Sequence, residues 1–296
     1  MNAPIHKNKL ESIQAEVTGL IVEQLKQFEE TGTTPRWLQP WDANGSFSWP
    51  VNLEGTPYSG INVMVLLACQ EKLGFQSSTW GTYRNFQKRG SQVLKGERAT
   101  KIFFYKTLTI EDKNDLGQVN LDEKGNPVTQ TIPMLKHFSV FNLSQTNLKQ
   151  SPAIVPSENF KGLADAIQTA GVDIRHGVDK AYYDRVGDFV RMPNMDQFKE
   201  EAHYWATIAH EAIHWTGATN RLNRTRGKLY GDESYAMEEL VAELGSVMLL
   251  AQFGIKPQFQ SAIYLNGWVK AFEGDHKLIF KVAAQAQKAM GFLTTK

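Results

Sequence analysis

The sequence predicts an α+β protein of two domains, and three observations carry this. Apolar residues recur at helical spacing in some segments and form β-branched and aromatic runs in others. Ser151-Pro152 and Pro156-Ser157-Glu158 bring turn and linker chemistry to 142–160, which places a boundary there. Beyond it, His210-Glu211-Ala212-Ile213-His214 forms a His-Glu-x-x-His run in an apolar, glycine-free stretch. At 296 residues and 42% hydrophobic content, the chain has material for one large or two ordinary cores. We read residues 1–150 as a mixed α/β domain and 151–296 as a mainly helical domain with a small sheet.

The first domain opens with an amphipathic helix over 8–30. Leu10, Ile13, Val17, Leu20, Ile21, Leu25 and Phe28 keep helical spacing, so the helix should pack on this domain. Gly32 suits its exit. Five prolines before residue 60, with Trp37, Trp41 and Trp49, indicate an irregular stretch. Its rings either stack bases or pin a loop to the core, and at least one of the three should be buried. Residues 60–73 read as a buried helix ended by Gly74, followed by a short helix at about 79–88 and turns at 89–90 and 94–98. Ile102–Ile110 is strand-like, 111–127 a loop or hairpin tip, and 128–141 a returning strand.

The second domain reads as a helix at 159–170, a short strand at 172–175, and two strands, Ala181–Asp184 and Asp188–Pro193, joined by 185–187. Phe189–Met192 would be a sheet edge facing the substrate, where an extended peptide adds by β-augmentation. After the His-Glu-x-x-His helix come a basic loop at 220–227, a glutamate-bearing helix at 234–252, and amphipathic helices at about 258–272 and 275–290. No internal repeat is present.

On a helix, His210 and His214 point from one face, one turn apart, so both can bind a single Zn²⁺. Glu211 then stands as general base for a hydrolysis. A catalytic zinc takes a third protein ligand. Glu238, Glu239 and Glu243 compete for that place. Glu239 and Glu243 share a face at i,i+4 and Glu238 lies off it. We take Glu239 as the ligand and Glu243 as the acceptor for a ligand histidine's other ring N–H, with Glu243 as ligand the main rival. Tyr235, or an arginine from 221–226, is a candidate for oxyanion stabilisation. The opposing reading is a solvated acidic helix face.

Net charge is only +1. Yet between Lys72 and Lys106 eight basic residues face the single acid Glu97, a local net of +7. They interleave with aromatics. Trp80, Tyr83, Lys88, Arg89, Lys95, Arg98 and Lys101 are the candidate nucleic-acid contacts, with cations along phosphates and rings on bases of a single strand. The competing reading makes the rings core and the lysines a solvated face. Cys69 is the one cysteine, so no internal disulfide forms. The N-terminus lacks an apolar signal-type core, and no apolar run approaches 18 residues. A cytoplasmic protein with no membrane association is the expectation.

Several motifs resemble a known family. Trp37-Leu38-Gln39-Pro40-Trp41, Tyr58-Ser59-Gly60-Ile61-Asn62, Trp80-Gly81-Thr82-Tyr83 and Lys95-Gly96-Glu97 are similar to the N-terminal domain of ArdC-type plasmid antirestriction proteins, shared with TraC-type plasmid primases. His210–Gly217, Arg221–Arg224 and Tyr235–Glu243 resemble that family's zincin-like, gluzincin-type metallopeptidase domain. The resemblance spans nearly the whole chain. It implies a single-stranded-DNA-binding N-terminal domain and a C-terminal domain holding one Zn²⁺, or another divalent metal such as Mn²⁺. It further implies protection of incoming conjugative plasmid DNA from host restriction. The expected partners are single-stranded DNA and an unidentified protein substrate, a host restriction component among the candidates. The alternative is a DNA-binding protection protein whose metal site is structural or vestigial, without proteolysis. A metallonuclease is disfavoured, because no clustered carboxylates of a two-metal site stand out.

Overall fold

The computed structural model describes residues 3–40, 49–114, 117–148, 158–224, 233–257 and 264–295. Trp41, most of the linker, Arg226 and the expected start of a helix at 258 lie outside them.

Helix α1 (Ala3–Thr31) buries Ile13, Val17, Ile21, Leu25 and Phe28. It packs on α2 (Ile61–Leu73), as a first-domain helix should, but also along α7 (Leu265–Gly274) near the C-terminus. Thr18 Oγ1 donates to the His276 carbonyl at 2.7 Å, and Lys26 and Glu273 pair at 2.6 Å. The helix thus packs on the first domain as expected and on the second half of the chain as well. Trp37 is buried, its indole N–H donating to Gln24 Oε1 at 3.0 Å, so it pins the proline-rich loop to α1. Gly74, at φ 67°, ends α2 in the left-handed conformation that its missing Cβ allows.

The expected helix at 79–88 divides in two. Thr79–Gly81 is strand β2, and α3 (Tyr83–Lys88) begins only after Thr82, whose Oγ1 accepts the Asn85 N–H at 3.2 Å. A four-stranded sheet has the order β1 (Val51–Asn52), β2, β4 (Thr129–Asn142), β3 (Thr100–Glu111). The β1–β2 pair is parallel and the others antiparallel. The β3–β4 ribbon keeps one unbroken register from Thr100↔Val140 to Glu111↔Thr129. Strand β3 is the sheet edge. The Asn62 side chain bonds both the N–H and the C=O of Phe103 at 2.7 Å, standing in there for a further strand.

In the second half, α4 (Phe160–Ala170) precedes a three-stranded sheet of order β5 (Ile174–His176), β7 (Phe189–Met192), β6 (Tyr182–Asp184). The expectation that Phe189–Met192 is an edge is overturned. The tight turn puts β6 antiparallel on one side, β5 lies parallel on the other, and β7 has no free edge. Helices α5 (Glu201–Thr216), α6 (Glu233–Gln252), α7 and α8 (Leu278–Thr294) complete the chain.

One apolar core runs through α1, α2, Phe103 of β3 and α4–α8. Helix α8 is its axis, packing on α2, α4, α5, α6 and α7. Phe103 meets Phe280 edge-on at 4.9 Å, and Gln287 accepts the Gly60 N–H at 3.0 Å. A smaller cluster gathers Leu66, Trp80 and Val140. Among the described residues, no helix is long and apolar enough to cross a membrane.

Helices α5 and α6 approach closely because Gly245 faces Ile213. A Cβ on Gly245 would stand 3.0 Å from Ile213 Cδ1 and Cγ2, in a site with no room to yield. Gly245→Val should lower the unfolding free energy by about 1–3 kcal/mol through overpacking, measured by denaturant titration.

Candidate metal centre

Helices α5 and α6 pack closely, with Gly245 of α6 against Ile213 of α5, so the polar side chains between the helices meet at short range. His210 and His214, one turn apart, bring their Nε2 atoms to 3.2 Å of each other. Glu239 reaches across from α6, with Oε2 3.5 Å from His210 Nε2 and Oε1 3.5 Å from His214 Nε2. One ligand atom from each lies within 4.8 Å of the others. All three residues are buried, at 6%, 8% and 7% exposure. Donors about 2.0–2.2 Å from a tetrahedral ion stand about 3.3–3.5 Å apart, so these residues fit a divalent cation.

Of the outer glutamates, one holds its histidine by the other ring nitrogen, while His210 Nδ1 has no hydrogen-bond partner among the described residues and only faces a carboxylate. Glu238 Oε1 lies 3.1 Å from His214 Nδ1. Glu243 Oε1 stands 3.7 Å from His210 Nδ1. Glu238, which the i,i+4 reading set aside, thus belongs to the centre. Its second oxygen explains why. Arg224 forms a buried, two-point pair with Glu238, Nε to Oε2 at 3.0 Å and one terminal nitrogen to Oε1 at 2.8 Å. The same guanidinium donates to the Ile213 carbonyl and Thr216 Oγ1, each at 2.7 Å. It therefore caps the C-terminus of α5, where free carbonyls and the helix dipole favour a cation. The chain gets there by reversing after Gly217, with Arg224 N–H on the Gly217 carbonyl at 3.1 Å.

Arg224 is committed to this structural pair, and Arg221 is committed elsewhere. Arg221 bonds Asp188 at 2.9 Å and the Trp215 carbonyl at 2.8 Å, and lies 3.7 Å over the Trp215 ring. Neither is placed as an oxyanion donor. Tyr235 interacts with Glu239 and Tyr264, and feels the charge of Glu211. Burial first, then Glu239, raises its pKa, so the phenol stays protonated and able to donate. Glu211 is half-buried, unlike the three α6 glutamates.

Electrostatics shows what the centre lacks. Burial alone would lower the His210 pKa, but Glu239, Glu243 and Glu211 outweigh it and push it up to about 9. His214 is raised against burial by Glu238 and Glu239. Glu239, despite burial, is held well below the usual carboxylate range by the two imidazoles. The pocket calls for positive charge, which protons supply when no metal does.

The candidate nucleic-acid contacts divide. Trp80 is 0% exposed, packed with Leu66 and Val140 and edge-on to Phe75 at 5.8 Å, so it has no face for a base. Tyr83, Lys88, Arg89, Lys95 and Arg98 are exposed, Arg89 standing 3.5 Å from Glu54. Lys101 is half-buried, with Nζ on Ser139 Oγ at 2.6 Å.

Two family models match the chain in succession. One, described as the N-terminal domain of anti-restriction factor ArdC, matches residues 11–141, and one described as a zincin-like metallopeptidase matches 162–285. A DNA primase TraC of Escherichia coli is 36% identical over a 292-residue alignment that covers 94% of this chain but 26% of the primase. The chain thus spans about a quarter of that relative's length. An uncharacterised protein of Sinorhizobium fredii is 33% identical over 85% of this chain and 83% of its own. The antirestriction protein ArdC of plasmid R388, solved metal-free and with Mn(II) bound, superposes with TM-scores of 0.73 and 0.72. Identity there is 35% and 34%, over 95% of this chain and 96% of those.

Two outcomes follow. Arg224→Ala removes the two-point cationic partner of the buried Glu238, so stability should fall by about 3–5 kcal/mol in denaturant titration, and metal affinity by about 10–100-fold in a chelator competition. In the metal-free protein the folded His210 pKa, about 9, lies above its ordinary 6.5. Its contribution to stability is therefore complete below pH 6.5 and lost as pH rises through about 9. The Tm of the metal-free protein should decline across that window, and loading with metal should abolish the decline.

Proposed function

Since the chain belongs to the family of ArdC-type antirestriction proteins, we propose that it protects incoming conjugative plasmid DNA from host restriction by joining two activities. Residues 1–150 bind single-stranded DNA, and residues 151–296 hydrolyse a peptide bond in a protein target, a component of the restriction machinery being the natural candidate. His210, His214 and Glu239 hold a Zn²⁺ ion, Mn²⁺ being the other divalent ion the donor set admits. The observation that carries this reading is the convergence of those three donors with Glu211 half-buried beside them.

When bound, the ion polarises the scissile carbonyl and lowers the pKa of a water. Glu211 would take a proton from the attacking water as its oxygen adds to the carbonyl carbon, and return that proton to the amine nitrogen as the C–N bond breaks. Tyr235, protonated, supplies a hydrogen bond as charge develops on the carbonyl oxygen. Glu238, held by Arg224, fixes the ring orientation of His214, and Glu243 adds negative charge facing His210 Nδ1.

One observation favours a second reading. The three donors are almost fully enclosed, as a structural clip between α5 and α6 would be. Glu211→Gln separates the two. Under the enzymatic reading the variant keeps metal content and oligonucleotide affinity but loses protection in a restriction assay, with cleavage of the target slowed about 10²–10⁴-fold. Full protection by the variant leaves the metal a clip.

A further inference from the structure

We infer that the outer face of the β3–β4 ribbon is a stacking platform for single-stranded nucleic acid, with Phe104 and Phe138 as the base-stacking rings and Lys136 as a phosphate contact. This rests on the single-stranded-DNA reading above and gives it a surface.

Stacking needs exposed rings. Among the described side chains up to residue 148, the exposed aromatics are Tyr83 (46%), Phe104 (57%) and Phe138 (47%). Phe138 lies opposite Ile102, and Phe104 lies opposite Lys136. With the register unbroken, Phe104 and Phe138 share one face as diagonal neighbours, roughly 7–8 Å apart. Sheet-borne aromatics stack two or three bases of one strand in this way. Towards the ribbon's base the same face is covered, where Val140 and Ile102 pack with Leu66 and Trp80. Farther out, the rings are exposed.

The platform is rigid. Phe103, on the opposite face, is buried against Phe280, and Asn62 clamps its backbone from α2. A platform on a fixed element loses little order on binding.

Charge selects the occupant. Strands β3 and β4 carry one acid, Glu111 at the far end, against three lysines, with Lys106 and Lys136 at register positions of the Phe104 face and Lys101 on the other. A cationic ribbon with two exposed rings suits a polyanion whose bases are unstacked. A duplex hides those base faces, which favours a single strand.

The test uses the full chain and a labelled oligothymidylate read by fluorescence anisotropy. Each stacked base accounts for about five- to 150-fold in affinity. Phe104→Ala/Phe138→Ala should therefore weaken binding at least about tenfold while leaving the salt dependence unchanged, because no phosphate contact is lost. Lys136→Ala should make the salt dependence shallower by about 0.7 in log–log slope. Phe104→Tyr/Phe138→Tyr should restore affinity. Wild-type affinity in the double alanine variant, with binding abolished by reversing Lys88 and Lys95, overturns the platform and leaves the DNA reading standing. Absence of oligonucleotide binding by the wild type overturns both. If instead the wild type sediments as a dimer that the double alanine variant dissociates, the face is a contact between copies and the platform falls.

Discussion

Everything about the metal centre follows from an excess of buried negative charge. Glu238, Glu239 and Glu243 project from one nearly solvent-free helix, with Glu211 facing them from the next. Carboxylates out of water are stable only beside compensating positive charge. Arg224 answers Glu238, and what remains bears on two imidazoles, whose affinity for protons rises despite burial. A divalent ion replaces those protons with charge that does not vary with pH. The close α5–α6 approach, made possible by Gly245 against Ile213, keeps the donors near enough for one ion to satisfy all of them.

Legibility in the sequence followed the range of the forces involved. His210 and His214 were readable because a helix turn places them, and Glu239 because i,i+4 spacing joined it to Glu243. Glu238 was not readable as a partner of His214. Its position depends on Arg224, which arrives only through the chain reversal after Gly217. The arginine was visible in the sequence, but a cation near a helix C-terminus reads as easily as a catalytic group. Trp80 failed for a related reason. It lies within the basic stretch 72–106, but its neighbours in space are apolar, and β2 turns it inward. The helix–strand plan was largely legible. The position of β7 within its sheet was not, because strand order depends on β5 arriving from the far side.

The boundary read near residue 150 divides the chain's chemistry more cleanly than its packing. Helix α1 lies against both α2 and α7, and the apolar core continues from one half to the other through Phe103 and α8. Parts that bury apolar surface together in this way move as one unit unless that surface is exposed to water again.

That packing constrains how the proposed activities are coupled. Phe103 and Phe104 are consecutive residues of one strand, so their side chains point to opposite faces. Phe103 reaches the core at Phe280 on α8, which also packs on α5 and α6, while Phe104 faces outward. A strand bound on the outer face is thereby held at a set distance and orientation from the helices that carry His210, His214 and Glu239. Coupling by fixed placement needs no second conformation, only a core stiff enough to hold the geometry. Under the proposed function, nucleic acid would act as the address and raise the local concentration of whatever protein shares it, so that the metal centre would meet its target by proximity.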